Sequence, residues 1–211
     1  HYGDIVGVAG SNPAAPTILK MEDIKKKYDQ GLYSETIKLA ENRLRDFPED
    51  LELKNILAEA LFAVNKADDA IKVINEILHK DSKNWRASNH LAIYHKKNNN
   101  FKEALKILEN CLNKNPKQFN TLFNISLLYF QEKKYQEALK YISQAIISNH
   151  EPPISYLLQG KIYIGLENYQ QAEKSYKIGL EHNPNSEDLL ISLSELYLKI
   201  GYTKLGNDIL I

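Results

Sequence analysis

An all-α fold of stacked antiparallel helix hairpins is predicted by three observations on this 211-residue chain: a 34-residue internal period, apolar residues recurring three and four apart, and prolines that close alternate periods. The period shows in several series held in one register. Tyr33, Ala67, Phe101, Tyr135, Tyr169 and Thr203 advance by a constant step, and so do the small residues Thr36, Ala70, Ala104, Ala138, Ala172 and Gly206. Ala58, Ala92, Ser126, Gly160 and Ser194 form a second small series. Leu61, His95, Tyr129, Tyr163 and Tyr197 form a largely aromatic one. Pro48, Pro116 and Pro184 recur at twice the step, with Ser82 and His150 between them.

Each period reads as two helices. In residues 85–118, Leu91, Ala92 and His95 share one helical face. Ala104, Leu105, Leu108 and Cys111 or Leu112 share another, with the polar Lys97-Asn98-Asn99-Asn100 between them. Equivalent breaks fall at Asp29-Gln30-Gly31, Asn65-Lys66, Gln131 to Lys134, Glu167-Asn168 and Lys199 to Gly201. Stops such as Phe47-Pro48-Glu49-Asp50, Asn115-Pro116-Lys117 and Asn183-Pro184-Asn185 end the second helices, because proline cannot donate to the preceding turn and Asn or Asp caps the next helix. Small residues at fixed offsets let paired helices approach closely. One such hairpin cannot bury its own apolar face, so neighbours must stack.

The first unit departs from the pattern, offering Asp23 and Lys27 where apolar side chains are expected, so that Ile24 and Tyr28 imply a shift of one residue. Residues 1–16 lie outside the repeats, hold three glycines, two prolines and the single charge Asp4, and read as a tag, linker or extended N-terminal peptide. The chain stops at Ile209-Leu210-Ile211, part-way through a sixth second helix. That end suggests truncation, favoured over a helix covered by another chain.

These series resemble the tetratricopeptide repeat family, whose motif places small residues, an aromatic and a terminal proline at these offsets. The resemblance covers residues 17–211, with units at 17–50, 51–84, 85–118, 119–152 and 153–186 and a partial unit from 187. It implies a right-handed α-solenoid that binds proteins or peptides. It also implies that the first helix of each hairpin lines a concave surface, which brings inward Glu52, Asn55, Glu59 and Phe62, then Arg86, Asn89, Ile93 and Lys96. The following units contribute Asn120, Phe123, Leu127 and Phe130, then Ile154, Leu157, Lys161 and Ile164. The expected peptide contacts are Asn55, Arg86, Asn89, Phe123, Asn124, Leu127 and Phe130. Asn55 and Asn89 are equivalent positions, and an amide ladder can pair with a peptide backbone. The three apolar residues can receive the side chains of an extended segment or an amphipathic helix, or can pack between hairpins. A terminal-carboxylate clamp is not expected, since no first helix carries an inward Lys-x-x-x-Asn pair and Glu52 and Glu59 would repel the anion.

Charge and composition exclude other classes. With 27 basic and 27 acidic side chains, the chain lacks the overall basic field of a nucleic-acid binder. The neutrality hides one basic unit: residues 85–118 carry seven basic and two acidic side chains, a net +5. That belt attracts an acidic partner or is an ordinary solvated surface. One cysteine permits neither an internal disulfide nor an all-cysteine metal site. No apolar run reaches the roughly 18 residues of a membrane span, so direct membrane insertion is not expected.

No catalytic constellation emerges, and neither enzyme activity, cofactor nor metal is expected. His90 and His95 are five apart, not on one ligand-bearing face, and His95 reads as a packed histidine. Cys111 reads as a buried inert thiol. The glycines form neither phosphate-binding motif, and the sequon Asn124-Ile125-Ser126 lies inside a predicted helix. The expected function is a non-enzymatic scaffold or adaptor holding a partner's peptide or helix. The rivals are a self-assembling structural protein, joined through residues 1–16 or the C-terminal helix, and the regulatory segment of a larger enzyme. Compartment stays open, with the cytoplasm favoured.

Overall fold

A computed structural model describes residues 20–148 and 153–209. The expectations for residues 1–16, His150 and the last two residues therefore lie outside the described residues. All regular elements among the described residues are helices, twelve in number. The chain divides into two compact units, one ending at Lys66 and the other beginning at Ala67, a boundary that falls inside the repeat predicted at 51–84.

The first unit holds α1 (Met21–Asp29), α2 (Tyr33–Asp46) and α3 (Leu51–Ala63). Ile24 is the fully buried residue of α1, as the one-residue shift requires, and Tyr28 meets Tyr33 edge to face across the turn. α3 is buried along most of its length, through Leu53, Ile56, Leu57, Ala58, Ala60 and Leu61. Its N-cap Asp50 accepts from the Leu53 N–H at 3.0 Å, satisfying a donor the helix cannot.

The second unit runs through α4 (Ala67–Lys80), α5 (Trp85–Lys97), α6 (Phe101–Lys114), α7 (Phe119–Gln131), α8 (Tyr135–Ser148), α9 (Pro153–Gly165), α10 (Tyr169–His182), α11 (Glu187–Lys199) and α12 (Thr203–Asp208). Pro153 opens α9 where its missing N–H costs nothing. α6 and α10 stop two residues before Pro116 and Pro184, as predicted. Helices pair as antiparallel hairpins, α5 with α6, α7 with α8, α9 with α10 and α11 with α12. Each hairpin also packs its second helix on the next first helix.

The small-residue series sit at the hairpin crossings. In the second unit Ala104, Ala138, Ala172 and Ser126 are fully buried there, with Ala92 close behind. Where a crossing carries serine, the hydroxyl donates across it: Ser126 Oγ to the Ala138 carbonyl at 2.8 Å, and Ser194 Oγ to the Gly206 carbonyl at 2.7 Å. Gly160 has no side chain because the Tyr176 ring occupies that space.

The turns inside the hairpins carry a periodicity that residue type conceals. Gly31, Asn65, Asn99, Lys133, Glu167 and Gly201 all have φ between +57° and +89°, and they stand 34 residues apart. After each, the next N–H reaches back five residues to a carbonyl, as from Asn100 to His95, Lys134 to Tyr129 and Asn168 to Tyr163, each at 2.9 Å. This left-handed closure satisfies the last carbonyls of each first helix and reverses the chain.

Candidate interaction surface

In the second unit the first helices of successive hairpins pack on one another: α5 on α7, α7 on α9, and α9 on α11. No equivalent packing joins α6, α8 and α10 among the described residues. The first helices therefore form a continuous row along one side of this unit.

Asn89 is buried at the α5–α7 seam, and its amide is fully committed. Nδ2 donates to the Trp85 carbonyl at 2.8 Å and to Thr121 Oγ1 at 3.2 Å, while Oδ1 accepts from Asn124 Nδ2 at 2.9 Å. Thr121 is in turn 3.6 Å from the buried Cys111 thiol. Asn124 is half-buried and held at one N–H, and its second N–H and its Oδ1 have no partner among the described residues. Asn89 acts here as the group that orients Asn124.

Asn124 and Leu127 of α7 meet Ile93 and Lys96 of α5 around a shallow recess floored by Ala92, Leu108 and Leu128. Its volume is about 10 Å³, the space of one water, against the roughly 300 Å³ or more of a metabolite pocket. The site can grip something laid across it but cannot enclose a small molecule. Lys96 sits half-buried on the last turn of α5, and burial, aided by Lys97, lowers its pKa. Among the described residues its ammonium makes no hydrogen bond or ion pair.

The other expected contacts are distributed as follows. Phe123, Leu127 and Phe130 are half-buried, one side against the α7–α9 core of Leu122, Ala138, Ile142, Leu158 and Ile162. Phe123 stacks on Phe119 at 6.0 Å, and Phe130 leans on Tyr135 at 5.9 Å. Arg86 is half-buried on the first turn of α5. Asn55 belongs to the first unit, where it is buried, donates to the Leu51 carbonyl at 2.9 Å and leaves its Oδ1 without a partner among the described residues. It repeats the bond of Asn89 to the carbonyl four residues back.

Comparisons with known proteins agree with this geometry. A tetratricopeptide repeat profile matches residues 27–92, and the profile of anaphase-promoting complex, cyclosome, subunit 3 matches residues 97–177. It is a tetratricopeptide repeat protein. No curated protein matches the chain. The solved structure of Pseudomonas aeruginosa pilF is similar at 16% identity and a TM-score of 0.77, over 89% of this chain and 86% of that one. A tetratricopeptide repeat protein of Parabacteroides merdae gives 18% and 0.69, over 89% and 75%. A thermophilic one of Thermus thermophilus gives 18% and 0.68, over 84% and 96%. At these identities the likeness carries the fold alone, an all-α solenoid of stacked hairpins.

Repeats of this family generally mediate protein–protein interaction. This repeat protein adds two surface features that the expected contacts omitted. Ile93 and Lys96 complete the recess around Asn124, and Ile154 and Ile191 are 52% and 46% exposed on α9 and α11. Ile93, Lys96 and Ile154 already stood among the inward residues of the register, and extending that register to α11 adds Ile191, at the offset of Asn89 and Phe123. No described helix is long and apolar enough to cross a membrane, and no cluster of three metal-ligating residues occurs among the described residues.

Proposed function

We propose that this chain is a non-enzymatic interaction scaffold that holds a peptide or helix of a partner protein along the first-helix face of α5, α7, α9 and α11. The observation that carries this reading is that face itself: first helices packed in a row, presenting half-exposed Phe123, Leu127 and Phe130 and the exposed Ile154 and Ile191. Apolar side chains left in water along one continuous surface gain free energy when a partner covers them, at about 25 cal/mol per Å². Asn124 supplies a fixed donor and acceptor beside them, and Arg86 a cation. Asn89 serves by holding Asn124. Asn55 belongs to the same expected set through its equivalent position in the first unit.

The test is site-specific photo-crosslinking in the native organism. A photoreactive residue replacing Leu127 is expected to yield one dominant partner adduct, and one replacing Lys106, an exposed position on a second helix, is not. Ile154→Glu together with Ile191→Glu is expected to abolish the adduct while leaving the thermal midpoint within a few degrees, because surface substitutions shift stability by about 0.5 kcal/mol at most. Equal adducts from both positions, or an adduct indifferent to the double substitution, would sink the reading.

A further inference from the structure

Resting on that reading, we infer that the surface selects an acidic–aliphatic segment: a glutamate or aspartate side chain seated on Lys96 and Asn124, with a neighbouring aliphatic side chain laid over Ile93 and Leu127. Three independent observations converge on this chemistry. Lys96 is a half-buried cation without a described partner, so its ammonium has lost part of its hydration and gained nothing in return. A carboxylate placed there forms a charge-assisted pair in a partly desolvated setting, where such pairs are strongest. Second, Asn124 borders the same recess, tethered through one N–H with the other unspent among the described residues. Both donors of Asn89 are spent, so its Oδ1 must accept, which obliges Asn124 to donate through Nδ2 and leaves its other N–H and its Oδ1 without a partner among the described residues. Third, charge is complementary over a wider area. Residues 85–118 carry a net +5, and α7, the other wall of the recess, has no charged residue from Phe119 to Gln131. A carboxylate arriving at Lys96 therefore meets no opposing carboxylate on either wall.

The recess also explains why the acid must belong to a chain. At about 10 Å³ it cannot hold a free dicarboxylate, yet its floor is aliphatic, so affinity must come from a segment that continues past it over Leu127 and Phe123. An internal acidic side chain satisfies this.

Selection from a library of random twelve-residue peptides, displayed with both ends joined to a carrier protein, tests the inference on the full chain. Expected is enrichment of Asp or Glu beside Leu, Ile or Val. A selected peptide should lose roughly tenfold in affinity when its acid is made the amide, and about the same when the protein carries Lys96→Gln. The two changes together should cost no more than one, since both remove the same pair. Asn124→Ala is expected to weaken every selected peptide. If the wild-type chain enriches nothing, the proposed function fails and the inference with it. If it enriches apolar peptides without acids, or if Lys96→Gln selects the same acidic peptides, only the inference is overturned. Displacement of the peptide by a single-stranded RNA of random sequence would assign the surface to nucleic acid. Self-association in light scattering that Lys96→Gln abolishes would assign it to a second copy. Either result overturns the inference.

Discussion

At the residue scale, the six turn positions show how one backbone requirement can hide under four residue types. Gly31 and Gly201 meet the left-handed conformation without cost, and Asn65 and Asn99 tolerate it, but Lys133 and Glu167 hold it against the clash of their own Cβ. Replacing Lys133 or Glu167 by glycine is therefore expected to raise unfolding free energy by about 0.5–1 kcal/mol each, the relief of strain exceeding the entropy a glycine adds to the unfolded chain. Urea denaturation would read this, and a loss of stability in both variants would contradict it. The series was invisible to reading by residue type, since it joins glycine, asparagine, lysine and glutamate. It becomes legible only when the 34-residue register is laid over it. The burial of Cys111 was legible: it is 2% exposed and lies 3.6 Å from the Thr121 hydroxyl, where α6 packs on α7. His95 is half-buried, like Tyr129 and Tyr163 of its series, and packs edge-on to Tyr94 at 5.7 Å.

At the element scale, hairpin geometry rests on what the crossings exclude. A Cβ on Gly160 would overlap the fully buried Tyr176 ring, which has no room to retreat. Gly160→Ala gains up to about 1 kcal/mol in helix propensity but overpacks the α9–α10 crossing at a cost of about 1–3 kcal/mol. Destabilisation should win, lowering the thermal midpoint, and a stabilised variant would refute the packing argument. Gly165 faces the Tyr135 ring at 2.6 Å for the same added atom, but Tyr135 is only half-buried and can yield, so the equivalent substitution should cost less. The sequence marked Gly160 as a small-residue position. It did not reveal that Tyr176, a further sixteen residues on, fills the gap, because that pairing depends on the angle at which α9 and α10 cross.

At the scale of the whole molecule, stability in a stacked fold is carried by contacts between successive hairpins. Glu173 of α10 makes one of them: its carboxylate accepts from Tyr197 of α11 at 2.8 Å and from Lys177 on its own helix at 2.6 Å. The Lys177 bond, then the Tyr197 bond, hold the Glu173 pKa below its usual value. A depressed carboxylate pKa contributes stability above the unfolded value, near 4.3, which is lost as pH falls through the lower folded value. Glu173→Gln should therefore flatten the decline in stability on acidification below about pH 5, by less than about 1 kcal/mol because the pair is partly exposed. Parallel acid titrations of the two proteins would miss this difference only if the contact carries no stability.

The sequence by itself determined the repeat, the helix boundaries and the buried small residues, because a period of 34 residues and a helical spacing of apolar side chains are one-dimensional properties. The first-helix face as the place for a partner is an expectation that came with the family resemblance. That resemblance also placed Asn89, Asn124, Phe123 and Leu127 on that face. Only the tertiary structure decided their roles. Asn89 lies at a seam whose other wall is 32 residues away, so its amide is consumed by Thr121 and Asn124, and Asn124 becomes the exposed group. Lys96 was likewise expected to face the groove from a basic unit, but the sequence could not say whether it is paired. Which charges are left without a partner depends on what the next hairpin brings beside them, and α7 brings none.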